Sequence, residues 1–154
     1  EFKQWMPERW AEIADIIRRD HGHTVVLSCG PEQREIDLVS EIRHHAKEEH
    51  FSTDGAITLH EFGWLLAKAR LFLGVDTVAM HLAAAMQTPI VALFGPSSEW
   101  SWRPWQCDHE LVLGDCECKR TRKFICDKTK PYPCMQSIQV NDVKKKVRCM
   151  LQQP

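Results

Sequence analysis

Three short, almost wholly apolar runs alternate with amphipathic stretches, and this alternation constrains the fold more than any other feature of the sequence. The runs span residues 24–27, 71–75 and 89–94. Because they lack a polar face, each is expected to be a strand buried on both sides, as in a parallel sheet that helices cover. The pattern therefore predicts an α/β fold built on a doubly wound parallel sheet.

Helices are predicted over residues 7–21, 36–46, 58–69, 78–86 and 141–152. Pro7 suits a first helical turn and Gly22 a helix C-terminus, with apolar residues at helical spacing between them. Thr58 and the glutamate three residues later have the spacing of a capping box, and Asn141 is expected to cap the final helix. The polar stretch 44–50 is expected to be solvated.

Length and composition indicate one globular domain over residues 1–154. The chain has 154 residues, of which 44% are hydrophobic, enough to bury a core without covalent staples. Its formal net charge of -1 argues against a nucleic-acid partner. No apolar run approaches the ~20 residues of a membrane-spanning helix. Because helical periodicity starts soon after Glu1, we expect a domain excised from a longer, cytoplasmic protein.

Four of the 7 cysteines lie within a basic stretch, residues 115–135, that shows no clear periodicity and is predicted to be a long irregular loop. They are Cys116, Cys118, Cys126 and Cys134. Four thiolates could close a tetrahedral zinc site. The two-residue spacing usual in such sites is missing, so thiols without a metal are the favoured interpretation. Disulfides are less expected in a cytoplasmic protein.

Polar residues follow the predicted strands, where a parallel sheet usually binds its ligands. At that edge, loops enter helices whose amide groups and dipoles attract anions. Residues 30–32, 76–77 and 95–98 occupy such positions. Glycines, hydroxyls and carboxylates there suit the phosphates and hydroxyls of a nucleotide sugar. The same residue types are common helix caps and strand stops, so capping explains them equally well.

Residues 74–85 (GVDTVAMHLAAA) and 88–96 (TPIVALFGP) resemble the signature of the ADP-heptose:lipopolysaccharide heptosyltransferases. Residues 3–10 (KQWMPERW) are similar to the Lys-x-Trp-x-x-x-x-Trp segment that opens the second domain of those enzymes. Residues 26–32 are similar to their strand that ends in Gly-Pro-Glu. Within the family, residues 100–105 and the Cys-rich tail are most similar to the heptosyltransferase III branch.

The resemblance implies an inverting glycosyltransferase of GT-B architecture, in which two Rossmann-like domains bind acceptor and donor respectively. The chain corresponds to the C-terminal, donor-binding domain, and the N-terminal acceptor domain lies outside it. The family places the catalytic base in that acceptor domain, so no catalytic residue is expected here. The whole enzyme would move heptose from ADP-heptose to the lipopolysaccharide inner core, without a further cofactor, at the inner face of the cytoplasmic membrane. The chain alone is expected to bind donor at best.

Matching positions imply a donor-binding set, which comprises Lys3, Glu32, Asp76, Thr77, Val78, Ala79, His81, Gly95 and Ser97. Lys3 would contact the diphosphate, Glu32 the ribose hydroxyls, and Asp76 the donor sugar. Each has a plain structural alternative: a solvated lysine near the chain end, an N-cap pair at 76–77, and a core histidine at His81. Many relatives have Gly-Pro or Gly-Leu where this chain has Val-Ala at 78–79, which leaves less backbone freedom beside the donor.

Three tryptophans in residues 100–105 allow two interpretations. With Arg103 they could form a membrane-interfacial patch, but their spacing also suits a packed loop, and packing is favoured. Two other functions stay open from the residues. One is a non-catalytic interaction module held by zinc, and the other is a domain of a nucleotide-sugar epimerase.

Overall fold

The computed structural model describes residues 3–117 and 132–152, and the chain divides into two compact units. The first unit is Met6–Phe62, and the second combines Glu1–Trp5 with Gly63–Pro154. Each unit contains its own sheet, and every strand pairing within these sheets is parallel. The predicted α/β class with parallel strands is confirmed.

The first unit is built from α1 (Pro7–His21), β1 (Val26–Leu27), α2 (Gln33–His45) and β2 (Phe51–Ser52). As predicted, Pro7 opens α1 and Gly22 ends it, at a φ of 70° that favours glycine. The two strands pair in parallel, with Val26 opposite Phe51. β2 was not predicted, because two residues without an apolar run carry no strand signal.

The polar stretch after α2 is not simply solvated, because His50 is buried beside the buried carboxylate of Asp15 in α1. The Asp15 carboxylate accepts backbone N–H groups of Lys47 at 2.8 Å and Glu48 at 3.0 Å. His50 Nε2 lies 2.9 Å from Asp15 Oδ1. One carboxylate on α1 therefore fixes the turn that leads into β2, and the predicted solvation is wrong at His50.

The next helix, α3 (Leu59–Lys68), begins in the first unit and ends in the second. The elements that follow it belong to the second unit: β3 (Phe72–Val75), α4 (Val78–Ala85), β4 (Ile90–Phe94), α5 (Glu99–Trp102), β5 (His109–Leu113), α6 (Pro133–Ser137) and α7 (Val140–Leu151). Its described sheet has the order β3-β4-β5. Every residue of β4 is buried, as its unbroken apolar sequence predicts. The predicted capping box at α3 is also confirmed, because the Glu61 carboxylate accepts the Thr58 backbone N–H at 2.7 Å.

Two predictions fail in the C-terminal part of the chain, and two elements there were not predicted. β5 and α6 were not predicted, and α7 begins at Val140 after Gln139 at the N-cap, so Asn141 does not cap it. Of the four clustered cysteines, Cys116 and Cys134 are buried, whereas the other two lie outside the described residues. The predicted irregular loop is wrong at its end, where Pro133–Ser137 is helical, and most of it lies outside the described residues.

Candidate functional site

Lys3 and Asp76 form an ion pair, although 73 residues separate them in the chain. Lys3 Nζ lies 2.8 Å from Asp76 Oδ2 and donates a second hydrogen bond to the Asp76 carbonyl oxygen at 3.0 Å. The Asp76 side chain is only 4% exposed, whereas that of Lys3 is 33% exposed. The interpretation of Lys3 as a freely solvated lysine is therefore wrong.

Trp5 explains why Lys3 is held in place so near the start of the chain. The Trp5 side chain is fully buried, and its indole N–H donates to the carbonyl oxygen of Ile138 at 3.1 Å. An indole in a buried position usually finds such an acceptor, and the bulk of its ring fixes the backbone around it. The anchored tryptophan thus holds the backbone two residues after Lys3, where the lysine side chain reaches Asp76.

Asp76 and Thr77 form the junction between β3 and α4. Thr77 is the N-cap residue, but its side chain makes no capping hydrogen bond; its hydroxyl lies 3.4 Å from the Val75 carbonyl oxygen. In any α-helix the first amide groups have no carbonyl acceptor within the helix, which here concerns Val78 and Ala79. Thr77 and Val78 are exposed. The junction therefore presents a hydroxyl and backbone donors where a helix dipole favours an anion.

His81 lies one helical turn further along α4, with Nε2 3.7 Å from Asp76 Oδ1. Its side chain is 41% exposed, so the alternative of a core histidine is wrong. Lys3 and His81 approach different oxygens of the same carboxylate. Because a lysine ammonium carries three N–H donors and Lys3 uses two on Asp76, one remains for a ligand.

Gly95 and Ser97 follow β4 and have different environments. Gly95 is buried, and an added Cβ would collide with the Met135 sulfur and lie 3.3 Å from the Cys134 sulfur. Packing on α6 is thus sufficient reason for a glycine there. The Ser97 hydroxyl oxygen is buried and has no hydrogen-bond partner among the residues described. Since such groups are normally satisfied, the Ser97 hydroxyl is the candidate ligand contact after β4.

Glu32 lies in the first unit at the N-cap of α2, without a side-chain capping bond. Its carboxylate is largely exposed and pairs with Arg34 Nε at 2.8 Å. The glycine loop before it depends on a different acid, because Glu35 accepts the Gly30 backbone N–H at 2.6 Å. Sequence reasoning missed Glu35, and no motif pointed to it. The assignment of Glu32 to a ribose stays a prediction.

The sequence favoured a packed loop for the three tryptophans of residues 100–105, but the structure leaves them exposed. Trp100, Trp102 and Trp105 are 78%, 55% and 75% exposed. The Arg103 guanidinium lies over the Trp100 ring, 5.7 Å from its centroid. Trp102 instead makes an edge contact with His81, with ring centroids 6.1 Å apart. Nothing in the sequence placed Trp102 beside the candidate site, since that contact depends on α5.

Within residues 3–117 and 132–152, no group of three or more His, Cys, Asp or Glu side chains could hold a metal ion. The proposed zinc ligands Cys118 and Cys126 lie outside these ranges, so the four-cysteine hypothesis stays a prediction. None of the helices in the described part of the chain is both long and apolar enough to cross a membrane.

Comparison with known proteins connects this arrangement to one family. The model of glycosyltransferase family 9 (heptosyltransferase) matches residues 1–132. Lipopolysaccharide heptosyltransferase 3 of Escherichia coli K12 is 35% identical over 105 residues, which are 68% of this chain and 30% of that protein. The aligned segment therefore covers less than a third of that relative. The similarity agrees with the resemblance to the heptosyltransferase III branch.

Two solved structures share the fold across 97% of this chain. The glycosyl transferase family 9 structure from Veillonella parvula DSM 2008 superposes with a TM-score of 0.83 at 25% identity, over 42% of its own chain. The Escherichia coli ADP-heptose lps heptosyltransferase II superposes with a TM-score of 0.79 at 22% identity, also over 42% of its chain. The expected GT-B type of α/β fold is thereby confirmed.

Proposed function

Because the chain belongs to glycosyltransferase family 9, the heptosyltransferases, we propose that it is the donor-binding part of a longer enzyme that transfers heptose from ADP-heptose to the lipopolysaccharide inner core. The observation that carries the proposal is the Lys3–Asp76 ion pair beside the N-terminus of α4. The relatives and solved structures named above are glycosyltransferases, which favours this function over the epimerase alternative.

The chemistry of the site suits a departing diphosphate. When the bond between the anomeric carbon and the donor oxygen breaks, negative charge grows on ADP. The remaining N–H donor of Lys3, the amides of Val78 and Ala79 and the dipole of α4 can stabilise that charge. The Thr77 and Ser97 hydroxyls add neutral donors. Asp76 keeps the ammonium oriented before the donor arrives, so little reorganisation is needed during the reaction.

In this proposal these residues stabilise the leaving group, and none of them acts as the catalytic base. An inverting displacement requires a base that takes the proton of the acceptor hydroxyl as its oxygen attacks the anomeric carbon. In our proposal that base belongs to an acceptor-binding domain outside this chain. Since the proposed acceptor is attached to lipid, the whole enzyme would work in the cytoplasm at the inner face of the membrane.

Isothermal titration calorimetry of the chain with ADP tests the proposal directly. We expect ADP to bind, and Lys3→Ala to weaken it by about tenfold, because a charge-assisted hydrogen bond contributes about 1.5–3 kcal/mol. Lys145→Ala is the matched control, since this lysine on α7 is 78% exposed and pairs only weakly with Asp142 at 3.7 Å. The proposal fails if ADP does not bind at millimolar concentration, or if both variants bind it equally well.

A further inference from the structure

Trp102 lies at the end of α5, one side chain away from the candidate donor site. Its indole contacts the edge of the His81 imidazole at an interplanar angle of 63°. His81 in turn lies 3.7 Å from the buried Asp76 carboxylate. A row of contacts thus runs from Lys3 through Asp76 and His81 to an indole that is 55% exposed.

Trp102 combines a largely exposed indole with a direct contact to a polar side chain of the candidate site. Tryptophan buries more apolar area than any other side chain when it packs, so exposure leaves much of that stabilisation unused. Ligand pockets, by contrast, are lined by aromatic side chains together with a few polar groups that fix orientation. Trp102 beside Asp76 and His81 has that combination.

We propose that Trp102 is a specificity-determining residue that packs against the sugar of the donor; this inference rests on the proposed function. A pyranose ring has an apolar C–H face, which buries area on a flat indole while its hydroxyls stay available for polar partners. In the proposed function the N-terminus of α4 binds the diphosphate. The sugar ring bonded to that diphosphate would then lie within reach of His81 and Trp102. The indole therefore contributes to binding of the nucleotide sugar and not of the nucleotide alone.

The neighbouring tryptophan provides a matched control. Trp100 belongs to the same helix α5 but lies under the Arg103 guanidinium and is more exposed than Trp102. Removal of the Trp100 ring should therefore not change the affinity for the donor. Comparing alanine variants of the two therefore separates contact with the donor from a general effect of removing an exposed indole.

The test is calorimetric titration of the chain and its variants with ADP and, separately, with ADP-heptose. We expect Trp102→Ala to weaken ADP-heptose binding by about 3- to 10-fold, the effect of one aromatic contact, while ADP binding stays within about twofold. Trp102→Phe should lie between wild type and alanine. Trp100→Ala should leave both dissociation constants unchanged.

The ratio of the two dissociation constants keeps the test independent of folding, because a partly unfolded variant loses apparent affinity for both ligands alike. An equal loss for ADP and ADP-heptose in Trp102→Ala overturns the inference, and so does no loss for either. If the wild-type chain binds ADP but Trp102→Ala keeps the ratio, the proposed function stands and only this inference falls. If wild type binds neither ligand, the proposed function fails and the inference fails with it.

Discussion

Two aspartates of the described residues are almost completely buried, and they differ in the partners that hold them. Asp15 accepts hydrogen bonds from two backbone amides of the turn before β2 and lies beside the buried His50. All of these partners belong to the same unit. Asp76 instead pairs with Lys3, which keeps a third of its side chain in contact with solvent. A buried carboxylate that orients an accessible cation supports the proposed donor site, whereas the one that closes a turn stabilises the fold.

Asp15→Asn is therefore expected to lower the free energy of unfolding by about 1–3 kcal/mol at neutral pH. The amide keeps the shape of the side chain but replaces one acceptor oxygen by a donor that faces another donor. The buried His50 then has a weaker interaction with residue 15, its only hydrogen-bond partner among the described residues. Urea denaturation followed by circular dichroism measures the difference. Asp37→Asn on the exposed face of α2 is the control and should change stability by less than about 0.5 kcal/mol.

Acid pH adds a second readout for the same variant. Burial raises the pKa of Asp15, but hydrogen bonds from Lys47, His50 and Glu48 outweigh burial, so its pKa lies below the usual value. A depressed pKa stabilises the folded state above the unfolded-state pKa of about 4, and this stabilisation is lost as the pH falls through the folded-state value. Wild type should lose stability below pH of about 4 more steeply than Asp15→Asn. Identical slopes would mean that Asp15 contributes no such linkage.

At the scale of elements, a segment was predictable where its own residues decide its structure. α1 has a proline, an apolar stripe and a terminal glycine, and β4 is apolar throughout, so local pattern was sufficient. β2 has only two residues, and β5 carries His109 and Glu110, so its pairing with β4 decides its conformation. Tertiary contacts thus determined the elements that pattern could not reveal.

Three glycines test how tightly these elements pack. At Gly114, after β5, an added Cβ would collide with the Cys134 carbonyl, whereas at Gly95 it would meet the Met135 sulfur at the end of a flexible side chain. Gly114→Ala should therefore be destabilising by about 1–3 kcal/mol and Gly95→Ala by less. Gly63 in α3 has nothing within 4 Å of an added Cβ, so Gly63→Ala should stabilise by up to about 1 kcal/mol.

Thermal and urea unfolding of the three variants measure this order. The comparison is internal, because each replacement adds the same methyl group. If Gly114→Ala were as stable as wild type, the close contact between β5 and α6 would not exist in solution. If Gly63→Ala were the least stable of the three, the environment of α3 would be more crowded than the structure shows.

At the scale of the whole molecule, the candidate site was only partly accessible from sequence. The strand-to-helix junction at Asp76 followed from the α/β pattern, and the family resemblance implied separate donor contacts for Lys3 and Asp76. Their ion pair, which spans 73 residues, was not predicted. Trp5 anchors that partnership through Ile138, which lies further along the chain still. Contacts between segments so distant in sequence leave no periodic trace, so spacing could not predict them.

We expect ADP to stabilise the folded chain, and we expect the Trp5 anchor to affect how much ADP is needed. A ligand that binds only the folded state raises the free energy of unfolding by RT ln(1 + [L]/Kd), about 2.7 kcal/mol when ADP is present at about 100 times its Kd. Thermal unfolding with increasing ADP should show a corresponding rise in Tm. Trp5→Phe keeps an aromatic ring but removes the N–H that bonds Ile138, so it should loosen Lys3 and require more ADP for the same rise. Since Trp5 is fully buried, an unchanged ADP response in Trp5→Phe would show that the indole hydrogen bond does not position Lys3.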